Sequence, residues 1–143
     1  MASEHIYKQF DSDLEAIRAK VLEMGTLVEE QTANAVKSLL NTDIKLAEAV
    51  MKRDVQINDL EMAIDEEASL LIAKRSPAAG DLRNIMMMLK IITDLERMGD
   101  EASKIARSTT RIFEDNRMSK PRFTEIKGMA KAVQVMIKTA LNS

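Results

Sequence analysis

The feature that most constrains this chain is how little interrupts it: 4 Gly and 2 Pro in 143 residues leave few points at which a helix must stop. Where breaks occur, they divide the sequence into four helical stretches. The first runs from about Ile6 to Leu40, with Phe10, Leu14, Ile17, Val21, Met24, Val28, Ala35 and Leu39 largely at steps of three and four. Asn41-Thr42-Asp43 supplies a turn and a cap, and a second stretch follows from about Ile44 to Arg75. Ser76-Pro77 reads as an N-cap followed by a proline in the first helical position, where no N–H is needed. A third stretch then continues to about Glu114, and a polar segment ending at Pro121 separates it from a fourth, Phe123 to Leu141.

Helices of some 30 residues joined by very short turns must lie antiparallel, so the expected fold is all-α. It is an up-down-up three-helix bundle about 45 Å long, plus one further helix. The expected organisation is a bundle over 1–115, a linker over 116–122 and a last helix over 123–143. That last helix has the look of a restart: Lys138-Thr139-Ala140-Leu141-Asn142-Ser143 echoes Lys37-Ser38-Leu39-Leu40-Asn41-Thr42 at an offset of 101 residues. A second bundle is therefore expected to begin and remain incomplete. Its row of Ile126, Met129, Val133, Met136 and Ala140 would have no hairpin of its own to cover it. Such a row predicts a homo-oligomer formed through this helix, either by pairing fourth helices between copies or by laying one across another copy's bundle, alongside the Leu82, Ile85, Met86 and Leu89 face taken to lie off the core.

In the third stretch Met88, Ile91, Leu95, Met98, Ala102, Ile105, Thr109 and Ile112 alternate steps of three and four and read as its core seam. At about 100° per residue, Glu96 and Asp100 then fall roughly 130° to 170° from the centre of that seam, on the outward side. In the second stretch Ile57, Leu60, Ile64, Ala68 and Leu71 form the core row, with Asp54, Asn58, Glu61 and Asp65 along one flank. Two acidic ledges, each containing Glu-x-x-x-Asp, thus occupy neighbouring helices. With 13 Glu and 10 Asp, about 0.9 such pairs arise by chance, so two are compatible with a charged face that merely solvates a structural helical module. The alternative is a cation site: like charges at this spacing repel, and grouped carboxylates on rigid helices are ligands for hard or borderline cations.

Other chemistry has little to stand on. A net charge of −2 gives no electrostatic footprint for nucleic acid. Zero Cys removes disulfides, thiolate metal sites and cysteine nucleophiles. The most apolar run, IMMMLKIITDL, contains Lys90 and is too short to span a bilayer. Inward di-metal bundle sites need Glu-x-x-His, and the one histidine, His5, sits far along the chain from either ledge. No P-loop, nucleophile elbow or dinucleotide turn is written here, and the chain is expected not to be an enzyme.

Taken together, Phe10-Asp11-Ser12-Asp13-Leu14, Met24-Gly25, Asp54 with Asn58, Glu61 and Asp65, RSPAAGDLR at 75–83 and DLERMGDEASKIAR at 94–107 make the chain resemble the PhoU family. The resemblance runs through all three helices. Its implied fold is two repeated three-helix bundles, of which this chain carries the first and the start of the second. The resemblance also implies a cytoplasmic, non-enzymatic negative regulator of phosphate uptake and of the phosphate-starvation response, without membrane insertion of its own. The implied partners are the ATP-binding subunit of the phosphate ABC transporter and a phosphate-sensing histidine kinase, through which such a protein reaches the inner face of the membrane. Paired acidic motifs in the family hold iron, zinc or other divalent or trivalent metal. They map onto Glu61 with Asp65 and Glu96 with Asp100, with Asp54 and Asn58 as outer candidates. Asp81 and Arg83, in the family-like Asp-Leu-Arg start of the third helix, read equally as a partner contact and as helix-end charge.

Overall fold

The computed structural model describes the backbone of residues 2–115 and 123–142, and the side chains of 8–114, 128 and 131–139. Four helices account for it: α1 (Ala2–Leu40), α2 (Ile44–Arg75), α3 (Ala79–Asp115) and α4 (Phe123–Asn142). The expected linker over 116–122, the side chain of His5 and those of Ile126, Met129 and Ala140 lie outside the described residues.

Helix boundaries follow local chemistry. Asp43 caps α2, its Oδ1 accepting the Leu46 N–H at 3.1 Å, which satisfies one of the donors a helix start leaves unpaired. At the other end the expectation fails. Ser76 does not cap α3; it closes α2 in the left-handed region (φ 41°, ψ 62°), its N–H donating to the Ile72 carbonyl, and α3 begins only at Ala79. Pro77 acts as the stop after that cap rather than as the first residue of the next helix.

The first three helices all pack on one another, and α4 lies along α1 with a slight contact to α3. In α1 the predicted row is the core: all eight of its residues, from Phe10 to Leu39, are buried. In α2 Ile57, Ile64, Ala68 and Leu71 are buried, and Leu60 packs at the margin.

In α3 the seam is turned from its expected position. Its buried residues other than Ser103 form two heptad rows, Ile85-Ile92-Gly99-Ala106 and Met88-Leu95-Ala102-Thr109. Ile91, Met98 and Ile105 are only partly buried. The bulky residues had suggested a seam through 91, 98 and 105, but the helices approach where side chains are small. Ile85 is accordingly fully buried and cannot belong to an off-seam docking face.

The core has two characters along its length. One cluster is built from large side chains, among them Ile17, Met24, Ile57, Ile64, Ile92 and Leu95. The other, toward the α1–α2 turn, is Ala35, Ala47, Val50, Ala102 and Ala106. Polar groups fit among these small residues: Gln31 donates its Nε2 to the Val50 carbonyl at 2.6 Å, and the Ser38 and Thr109 hydroxyls meet at 3.3 Å. The fourth helix was expected to lack a cover. Instead α1 supplies one, with Ile137 fully buried in the large-residue cluster and Val133 packed against it, while Met136 and Val135 remain 57% exposed.

Candidate functional site

The turned seam moves the acidic residues. Measured from the centre of the two buried rows, Glu96 stands about 80° away and Asp100 about 120°, on the flank facing α2. Glu96 is half-buried and Asp100 exposed; across the seam Asp54 and Glu61 are half-buried, Asp65 and Asn58 exposed. The two expected ledges therefore face each other as one acidic strip along the α2–α3 seam.

Gly99 lies at its centre. A Cβ at this position would come within 3.0 Å of Ile57 Cδ1 and 3.4 Å of Ile57 Cγ2, and within 3.7 Å of Asp54 Oδ1. The bare backbone thus lets α2 ride against α3 and brings Asp54 over the contact. Glycine inside a helix costs about 1 kcal/mol relative to alanine, which the close approach has to offset. Sequence reasoning passed over Gly99, and over Ser103 one turn later. The signal was present, since Gly99 continues the heptad row of Ile85 and Ile92 and is followed by Ala106.

Mutual repulsion couples the acids of the strip. Burial pushes the Asp54 carboxyl above the ordinary carboxylate range, the negative charge of Asp100 adds to it, and Ser103 and Arg107 offset part of the rise. Glu61 is raised by burial, then by Asp65 and by Asp100 on the other helix. Glu96 is raised by burial first, then by Asp100, Glu61 and Asp54. No basic side chain among the described residues pairs with any of the five acids. Arg107 reaches Asp54 only through its charge, while Arg53 pairs with Glu30 and Lys104 with Glu101. Asp54 Oδ1 and Ser103 Oγ are buried neighbours, yet neither meets hydrogen-bond geometry with a partner. Beside the strip, a groove of about 430 Å³ between α3 and α4 is lined by Asp94, Arg97, Met98, Asp100, Glu101, Lys104, Val133 and Met136.

This donor set fits a hard cation in kind: five carboxylates, one with a buried unpartnered oxygen, on two helices fixed by packing. Among the described residues no three His, Asp or Glu side chains already close around one point.

Comparison with known proteins agrees with this architecture. The PhoU domain model matches residues 21–109, which hold both acidic motifs. The chain belongs to the PhoU family. A PhoU homolog from Pseudomonas aeruginosa, named a phosphate-specific transport system accessory protein, is 43% identical over 142 residues, 99% of this chain and 58% of the relative. PhoU of Escherichia coli is 44% identical over 111 residues, 78% of this chain and 46% of that protein. The chain therefore spans roughly half the length of these curated PhoU relatives. The crystal structure of PhoU from Pseudomonas aeruginosa superposes with a TM-score of 0.87 over 93% of this chain and 63% of that one. The crystal structure of the phosphate transport system regulatory protein PhoU from Streptococcus pneumoniae, 29% identical, gives 0.78 over 92% of this chain and 61% of that one.

Proposed function

We propose that this chain provides a metal-bearing surface of a non-enzymatic regulator of phosphate uptake, which holds down the phosphate-starvation response when phosphate is plentiful. The observation that carries the reading is the strip itself. Asp54, Glu61, Asp65, Glu96 and Asp100 face one another across the seam, and among the described residues no Lys or Arg forms an ion pair with any of them. Carboxylates so placed repel one another, and a divalent or trivalent cation, iron or zinc among them, reverses the sign of that interaction. Glu61, Asp65, Glu96 and Asp100 hold the ion, with Asp54 and Asn58 outside them. The ion supplies positive charge on an otherwise acidic face; the helices supply its position.

A role in phosphate transport is supported by the relatives, which are named phosphate-specific transport system accessory proteins. In this reading the partners are the ATP-binding subunit of the phosphate ABC transporter and the phosphate-sensing kinase, met at the inner face of the membrane. Among the described residues no helix is long and apolar enough to cross a membrane, so contact with membrane proteins runs through exposed faces. A self-association surface on α4 is narrower than its full apolar row, since Val133 of that row packs against the core and Met136 stays outward.

Elemental analysis of purified protein and calorimetric titration with Zn²⁺ or Fe³⁺ test the site. Binding is expected to weaken as pH falls through the carboxylate range, because protons compete for the ligands. The Glu96→Ala, Asp100→Ala double variant should lose most affinity. Wild-type binding by that variant removes α3 from the site.

A further inference from the structure

The metal reading leaves open what holds the two acidic helices at a spacing that one ion can bridge. We propose that Gly99 is the positioning residue that sets the α2–α3 separation at which Asp54 and Glu61 face Glu96 and Asp100. A cation is thereby held between both helices rather than on one of them. This inference rests on the metal-binding reading and names the residue on which bridging depends.

The geometry is local. Ile57 is fully buried in the large-residue cluster, so its side chain cannot retreat into solvent. A Cβ on residue 99 would meet Ile57 Cδ1 at 3.0 Å and Cγ2 at 3.4 Å. Those contacts are tight enough that Ile57 must give by a few tenths of an ångström, and in a close-packed interior that movement passes to the helix carrying it. Asp54 is three residues before Ile57 and Glu61 four after it, on the same side of α2, so both acids follow Ile57 outward. On α3, Asp100 adjoins Gly99 and Glu96 lies three residues before it. A change at residue 99 therefore acts on the gap between the two halves of the strip without removing a ligand. Asp54 Oδ1 lies within 3.7 Å of the same point, so an added methyl also crowds a carboxylate oxygen that has no hydrogen-bond partner.

The experiment uses the full chain and Mn²⁺ as probe, with calorimetry on wild type, Gly99→Ala, Ile57→Val and the double variant. Ile57→Val deletes Cδ1, the atom at 3.0 Å. Gly99→Ala is expected to weaken Mn²⁺ roughly tenfold or more, as loss of supporting structure around a metal site does. Ile57→Val alone stays within about twofold of wild type, and adding it to Gly99→Ala restores binding to within about threefold. Melts in chelator give a reading independent of metal: alanine inside a helix ordinarily raises stability, whereas here Gly99→Ala lowers Tm and Ile57→Val recovers part of the loss. Wild-type Mn²⁺ affinity in Gly99→Ala, or failure of Ile57→Val to restore it in a folded double variant, overturns the inference while leaving the metal reading intact. A wild-type chain that takes up no Mn²⁺, Zn²⁺ or Fe³⁺ overturns both.

Discussion

Ile91 and Ile92 are chemically identical neighbours that the turned seam of α3 separates. Ile92 is 2% exposed, while Ile91 packs at the margin of the core. Truncating Ile92 to alanine removes three carbons from a site closed on all sides. At about 0.8 kcal/mol per buried carbon group the transfer loss is about 2.4 kcal/mol. A cavity that rigid helices cannot fully collapse raises the total to about 3–4 kcal/mol. At Ile91 part of the side chain already meets water and neighbouring chains can relax into the space, so the expected loss is about 1–2 kcal/mol. Urea unfolding in chelator, followed by far-UV circular dichroism, measures both, and an unchanged m-value keeps the comparison between the same two states. Equal losses, or a greater one at Ile91, would falsify the placement of the seam and with it the facing of the two acidic helices.

In chelator the acidic strip opposes folding at neutral pH. Because the folded-state pKa values of Asp54, Glu61 and Glu96 are raised above 3.8 and 4.5, the folded chain binds more protons than the unfolded one between those values and the raised ones. Their contribution is therefore fully favourable below the ordinary carboxylate range and is lost as pH rises through the folded-state values. A Glu61→Gln, Glu96→Gln variant should be more stable than wild type at about pH 7 and lose that advantage near pH 4, as melts across pH would record. Ser76→Gly should raise stability by about 1 kcal/mol, because Ser76 holds a left-handed conformation that costs an L-residue about that much; a loss in urea unfolding contradicts the cap. Ile137→Ala should cost about 2–4 kcal/mol in the same assay, since its side chain is fully buried. No change would mean that α4 does not rest on α1.

How much of this was legible in the sequence depended on residue size. Along α1 the apolar steps fall on large residues with polar neighbours, and all eight chosen positions are buried. Along α3 the same rule preferred Met98 over Gly99 and Ile105 over Ala106, since periodicity weighs a residue by its apolarity. Close helix packing favours the smaller residue, and that misreading turned Glu96 fully outward although it is half-buried, while Asp100 is exposed as expected. Repeated spacing singles out the acids as a group, but their facing arrangement depends on the α2–α3 contact, a long-range fact that no local pattern carries. Ser76-Pro77 was misassigned because a serine before a proline has the same composition whether it opens one helix or closes another.

The division of the core into a bulky half and an alanine-rich half gives the bundle a gradient of firmness. Fewer apolar atoms are buried per turn near the α1–α2 connection, so amide protons there are expected to exchange through smaller openings than those around Ile64 and Leu95. Asp54 and Gly99 sit at the border between the two, after Val50 of the soft half and before Ile57 of the firm one in α2, and between Leu95 and Ala102 in α3. If the proposed site is occupied, an ion at that border would tie the soft end to the firm one, and its arrival would be read as slowed exchange over a region that touches no ligand.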